Sequence, residues 1–252
     1  MTNGYIVCTT PRSGSTLLCS LLEATGQAGH PWSFYHQPNF MQEWAETWGL
    51  PEAGTMPPDD HDSAYLKATV AAGRGSTSLF GMRLQQTYLA PLAATLARLY
   101  PTASSDTERF ESAFGSLRYV HLTRLDKVAQ AVSLVKARQS GLWHRHADGS
   151  ERERSGPAAE PIYDAGAIRA EVANLTRADQ AWNDWFEAEQ VEPLRLTYET
   201  FAQRPVATVY DICAALGVDQ SALATIIPAV AILADDISLE WTARYRADNS
   251  AT

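Results

Sequence analysis

A change of hydrophobic period near the start of the chain constrains its fold most. Tyr5-Ile6-Val7-Cys8 is continuously apolar, as a strand covered on both faces must be, whereas Leu17, Leu18, Leu21 and Leu22 recur at helical spacing. Thr9-Thr10-Pro11-Arg12-Ser13-Gly14-Ser15-Thr16 must therefore turn a strand into a helix within a few residues. Such a corner gathers backbone N–H groups and the positive end of a helix at one spot, and Gly14 lets an anion approach the backbone closely. Ser13, Ser15 and Thr16 add hydroxyl donors and Arg12 a guanidinium fork, so the corner suits a phosphate-like group.

Further strands are predicted at 79–84, 118–123 and 193–196, each followed by a helical pattern. This alternation predicts an α/β, P-loop-like fold of three layers, with a central, mostly parallel sheet flanked by helices. The clearest helix spans 163–189, where Ile168, Val172, Leu175, Trp182, Trp185 and Phe186 keep to one stripe that reads as core-facing. Two stretches read as irregular, 51–62 and 141–161, the second a loop over a site. With 252 residues, a single domain is the expectation.

The formal charge of -9 disfavours a general nucleic-acid binder. The positive charge is nonetheless skewed to seventeen Arg against three Lys, a bias that suits bidentate contacts to phosphate or sulfate. Cys8, Cys19 and Cys213 are a sparse, odd set, which predicts a reducing compartment without disulfides and no metal cluster. The opening residues lack a signal-peptide pattern and no stretch is long and apolar enough for a membrane span, so a cytoplasmic protein is expected.

The corner is not the phosphate loop of nucleoside triphosphatases, because no Lys follows Gly14 and no second Gly lies five residues before it. A cysteine phosphatase needs Arg six residues after its nucleophile, and Arg12 follows Cys8 by four. A second constellation, Val120-His121-Leu122-Thr123-Arg124 and then Asp126 to Ser133, puts Arg124 at a strand end and Ser133 on the next helix, where both could meet one further phosphate.

Together these pieces resemble the sulfotransferase superfamily, and more closely its bacterial branch of trehalose 2-sulfotransferase-like carbohydrate and lipopolysaccharide sulfotransferases. The likeness rests on Pro11 to Leu18, Ala24-Thr25-Gly26 to Pro31, Arg124 to Ser133, Asp164 to Ile168, and Glu240-Trp241 to Arg246. It implies the donor 3'-phosphoadenosine 5'-phosphosulfate, adenosine 3',5'-bisphosphate as product, no metal, and a carbohydrate or glycolipid acceptor; it admits a homodimer. By that resemblance Arg12, Ser13, Gly14, Ser15 and Thr16 hold the 5'-phosphosulfate, Arg124 and Ser133 the 3'-phosphate, and Tyr198-Glu199 lie near the adenine. Trp241 and Arg244 close over the nucleotide, and Arg83 stands where the family often has Lys.

Two positions depart from the pattern. Where the trehalose enzymes carry a Glu base in Gly-x-Pro-x-Glu-Phe, this chain reads Gly29-His30-Pro31-Trp32-Ser33-Phe34, and Ser33 cannot act as a base at neutral pH. His30 and His36 flank the gap as candidate bases, with Glu43 and Glu46 in reserve, while His144 and His146 read as solvated or acceptor-contacting. Near the C-terminus Ile232, Leu233, Asp235 and Asp236 stand where basic or amide groups would be expected for the 3'-phosphate. Ser33 and Ile232 leave open a second reading, a catalytically silent relative that binds nucleotide or glycan.

Overall fold

The computed structural model describes residues 3–145, 150–226 and 235–250. In chain order the elements are β1 (Gly4–Thr9), α1 (Ser15–Ala24), α2 (Pro38–Thr47), α3 (Pro58–Arg74), β2 (Phe80–Gln85), α4 (Leu89–Leu99), α5 (Asp106–Phe114), β3 (Leu117–Thr123) and α6 (Lys127–Ser140). They continue with β4 (Leu142–Arg145), β5 (Glu151–Arg154), α7 (Ala165–Ala188), β6 (Leu194–Thr197), α8 (Tyr198–Gln203), α9 (Pro205–Ala215) and α10 (Asp236–Ser250).

Four strands form a parallel sheet in the order β2-β1-β3-β6, so the first strand is central and every one of its residues is buried. Alternate side chains divide between two cores. Tyr5, Val7, Val120 and Leu122 pack with α1 and α9, through Leu18, Leu22, Val209 and Ile212. Ile6, Cys8, Met82 and Leu84 face the other way, onto Tyr65, Leu92, Phe110 and Trp182 of the helices on the opposite face. The expected three layers are present, and the four strands fall within a residue or so of their expected positions.

Two irregular stretches gain structure. Helix α3 starts at Pro58, inside 51–62, because Pro at its first turn spends no donor and Asp59 and Asp60 sit at the positive helix end. Within 141–161 the chain forms the antiparallel hairpin β4–β5 instead of a plain loop. Its charged sequence Glu-Arg-Glu-Arg and its register shifts hide the strand alternation from a sequence reading.

The long helix behaves as its stripe predicts, with Ile168, Leu175, Trp182 and Phe186 buried and Asp164 capping it through the Ala167 amide (2.9 Å). One of its core residues does more than pack. Fully buried Trp182 donates from Nε1 to the Thr9 carbonyl (3.0 Å), at the last residue of β1. Trp182→Phe removes that donor and part of the ring. It is expected to lower the unfolding free energy by roughly 1–3 kcal/mol, read as a shifted urea midpoint at unchanged slope.

Candidate functional site

The corner after β1 is built from left-handed backbone. Arg12 has φ 61° and Gly14 φ 87°; for Arg12 this is strained, and such turns aim consecutive N–H groups into one concavity. Gly14 stands at the N-cap of α1 and has no side chain with which to cap the helix, so the opening N–H groups are left for another acceptor. Gly14 is required for a second reason: a Cβ there would meet the Tyr198 ring at 2.6 Å. Ser13 is fully buried and its hydroxyl pairs with Thr9 Oγ1 (2.5 Å), so its side chain shapes the corner from behind and does not line the cavity in front of it.

That cavity, of about 800 Å³, lies at the carboxyl ends of the strands, where ligands gather in open α/β sheets. Arg12, Gly14, Ser15, Thr16, Arg83, Arg124, Ser133 and Tyr198 all line it, so the two separate constellations meet in one space. Six arginines and two carboxylates, Asp126 and Glu153, face it in a chain of net charge -9. Among the described residues Arg12, Arg83 and Arg124 have no carboxylate partner, whereas Arg246 pairs with Asp126 (2.7 Å). Arg124 donates to the Arg12 carbonyl (3.4 Å) and lies 4.6 Å from the centre of the Tyr198 ring, and burial with this like-charged neighbour lowers Arg12 to about 10. Arg12 remains a cation at neutral pH.

Arg12 is steered from two sides, donating from Nε to Ser133 Oγ (3.0 Å) and from Nη1 to the Trp143 carbonyl of the hairpin (2.6 Å). Arg83 bridges the gap left by the missing Glu, donating from Nε to Ser33 Oγ (2.7 Å) and from Nη1 to Thr16 Oγ1 (2.8 Å). Ser33 is positioned for this because its neighbour Trp32 bridges Met82 at the edge of β2. The hydroxyl proton of Thr16 is then free for His144 Nε2 (3.1 Å), and Glu153 lies 3.6 Å from the same nitrogen.

The candidate bases separate clearly. His30 does not line the cavity; its Nδ1 lies 2.6 Å from Glu23, and its ring packs on Gly75. Glu43 and Glu46 are exposed on α2, away from the lining. His36 does line it, packed on Phe40 and Tyr88, and its buried Nδ1 has no partner among the described residues. Burial and then Arg83 hold this imidazole down to about 4. His144 is held lower, to about 3, by burial and then Arg12 and Arg83.

The C-terminal helix reaches the cavity with a different face from the one expected. Trp241 is buried against α6 and α7, Arg244 stacks 3.9 Å from the Tyr163 ring, and Ser238, Leu239, Thr242 and Arg246 line the space instead. Glu199 is spent on the turn after β3, accepting from the Leu125 and Asp126 amides (both 3.1 Å). Asp235 is paired with Lys136 and Ser238, which answers its charge locally, and Asp236 opens α10. Ile232, Leu233 and His146 lie outside the described residues.

Comparison with known proteins adds a family to this geometry. The Stf0 sulphotransferase model matches residues 4–248. The chain belongs to the Stf0 sulphotransferase family. Trehalose 2-sulfotransferase of Mycobacterium tuberculosis (strain ATCC 35801 / TMC 107 / Erdman) is 31% identical over 97% of this chain and 94% of the relative. The protein of the same name from Mycolicibacterium smegmatis is 29% identical over the same shares. A crystal structure of a sulfotransferase from Alicyclobacillus acidocaldarius covers 99% of this chain and 93% of its own, at 18% identity and a TM-score of 0.41. Among the described residues there is no group of three or more side chains that could hold a metal ion, and no helix is long and apolar enough to cross a membrane.

Three histidines are held neutral by the fold: His36 and His121 at about 4 and His144 at about 3, against 6.5 for a free imidazole. Below pH 6.5 the unfolded chain binds protons at these sites that the folded chain refuses, so stability falls as the pH drops from 6.5 toward 4. Above that window these groups contribute no slope. In a pH series of urea unfolding, His144→Gln is expected to make the acid slope shallower, by at most about 1.4 kcal/mol per pH unit, the value of one full proton.

Proposed function

We propose that the chain is a sulfotransferase that moves a sulfuryl group from 3'-phosphoadenosine 5'-phosphosulfate to a hydroxyl of a carbohydrate, free or within a glycolipid. The observation that carries this reading is the convergence of three guanidinium groups without carboxylate partners and an uncapped helix start on one cavity. An acidic protein that concentrates unanswered positive charge in one hollow is suited to a polyanionic ligand. The curated relatives act, by their names, on trehalose, which supports a carbohydrate acceptor.

In this reading the N–H groups at the start of α1, with Arg12, Ser15 and Thr16, hold the 5'-phosphosulfate, and Arg124 and Ser133 hold the 3'-phosphate. Tyr198, stacked under Arg124, borders the base. The acceptor oxygen attacks sulfur, the bond from sulfur to the bridging phosphate oxygen breaks, and adenosine 3',5'-bisphosphate leaves with the electron pair. Arg12 and the helix dipole stabilise the charge developing on that oxygen, and Arg83 neutralises the sulfuryl oxygens.

The acceptor proton passes to His36. An imidazole held near 4 is neutral at physiological pH and has a carboxylate's basicity, so it fills the role of the absent Glu without adding a negative charge beside an anionic donor. Ser33 instead supports Arg83. Because Ser33 replaces the family's base, the second reading is a silent relative that binds the nucleotide and transfers nothing. The three free, buried cysteines suit a reducing compartment, and we place the protein in the cytoplasm.

Calorimetric titration with adenosine 3',5'-bisphosphate is expected to give saturable binding that Arg12→Ala weakens by roughly tenfold to a hundredfold, the worth of one or two charge-assisted hydrogen bonds. An unchanged dissociation constant removes Arg12 from the site. Transfer of labelled sulfuryl to a panel of glycans and glycolipids then decides between the readings: His36→Ala is expected to cut kcat by about 10²–10⁴ with nucleotide affinity intact. Bisphosphate binding without turnover on any glycan would favour the silent relative.

A further inference from the structure

A second cavity, of about 340 Å³, lies beside the ends of β3 and β6, on the side of α7. Its chemistry is decided by one ring. Arg195 Nη1 lies 3.3 Å from His121 Nδ1. A guanidinium can only donate, so Nδ1 accepts and the single proton of a neutral ring sits on Nε2. The ring is neutral, because burial, together with Arg195 and Lys127, outweighs Asp179 and holds it down to about 4.

The Nε2–H is therefore a fixed donor. His121 is only 3% exposed and lines the cavity, yet Nε2 has no partner among the described residues. Among the described residues Arg124 Nε is a second buried donor without a partner, on a residue that lines this space as well as the first cavity. Buried donors are ordinarily paired, and two unpaired ones on residues that line one hollow point to an acceptor-rich ligand.

The charge agrees with this. Arg124, Lys127 and Arg195 line the cavity against one carboxylate, Asp179. That carboxylate is already engaged, accepting from Thr10 Oγ1 (3.2 Å), Thr123 Oγ1 and Lys127 Nζ. The surplus is positive, and among the described residues no other acid lines the space.

We propose that this second cavity binds a small tetrahedral oxyanion, sulfate or phosphate, with His121 Nε2–H and Arg124 Nε–H as its buried donors and Arg195 as its counter-charge. The site lies on the other side of Arg124 from the corner after β1, so the two cavities share that one arginine, while His121, Lys127 and Arg195 line the second cavity and not the first.

The test uses the full chain labelled with ¹⁵N at histidine and follows the His121 imidazole in long-range ¹H–¹⁵N spectra at neutral pH and constant ionic strength. Sodium sulfate and sodium phosphate are titrated separately, with chloride as reference. The expected result is a saturable shift of the His121 Nε2–H resonance with at least one of the two oxyanions; a response to both identifies charge and shape as the recognised feature, and a response to one identifies the source. Arg195→Met is expected to weaken the effect about tenfold or more. Arg12→Ala, which disables the first cavity, should leave it unchanged. The proposal is overturned if neither oxyanion gives a saturable shift in the unmodified chain, if chloride reproduces it, or if the shift disappears in Arg12→Ala.

Discussion

The left-handed turn between the first strand and the first helix is the constraint on which the rest of the architecture depends. A non-glycine residue in that conformation costs on the order of 1–3 kcal/mol, and it persists only where its surroundings over-determine it. Here the surroundings do so from every side. Trp182 holds the Thr9 carbonyl, Gln130 donates to Thr10 Oγ1 (3.0 Å) and the Pro11 carbonyl (2.7 Å), and Tyr198 lies against Gly14. A corner fixed in this way presents its N–H groups to an anion without having to reorganise, which is the condition under which dipoles stabilise developing charge best.

The second constraint is electrostatic. Arg12 and Arg124 repel one another at close range, and burial removes the water that would screen them, so the corner concentrates poorly screened positive charge. The hairpin β4–β5 supplies provisional partners: its Trp143 carbonyl accepts from Arg12, and its His144 meets Thr16. A carbonyl and a neutral imidazole carry no formal charge, so the hairpin walls the cavity and offsets its positive charge only in part, through Glu153. The same neutrality has a cost in acid, because the buried histidines must gain protons that the fold resists.

Much of this was legible in the chain. Continuous apolar runs mark the strands because a parallel sheet covered on both faces admits nothing else, and the stripe of α7 marks a buried face because helical period is a property of neighbouring residues. The corner was legible too, since Gly14 between Arg12, Ser13 and Ser15 is a local arrangement. The hairpin was not: its stability comes from contacts of Arg154 with the Ser140 carbonyl (2.6 Å) and of Trp143 with Ser155 (2.8 Å), which no residue period announces. Nor was the face of α10, where Trp241 turns to the core and Thr242 and Arg246 turn to the cavity, because the direction a helix presents depends on what it packs against.

The order of residues alone determined the strand–corner–helix unit, its family and the presence of the arginines, because each is written in local spacing. Tertiary structure alone decided which charges stay unanswered. Among the described residues Arg83 meets Ser33 and not an acid, His30 meets Glu23 outside the cavity, His36 lines the cavity with one buried nitrogen unpaired, and Arg195 fixes the proton of a histidine distant in sequence. A side chain's charge and basicity depend on burial and on neighbours brought together by folding, and those distances are not a function of separation along the chain.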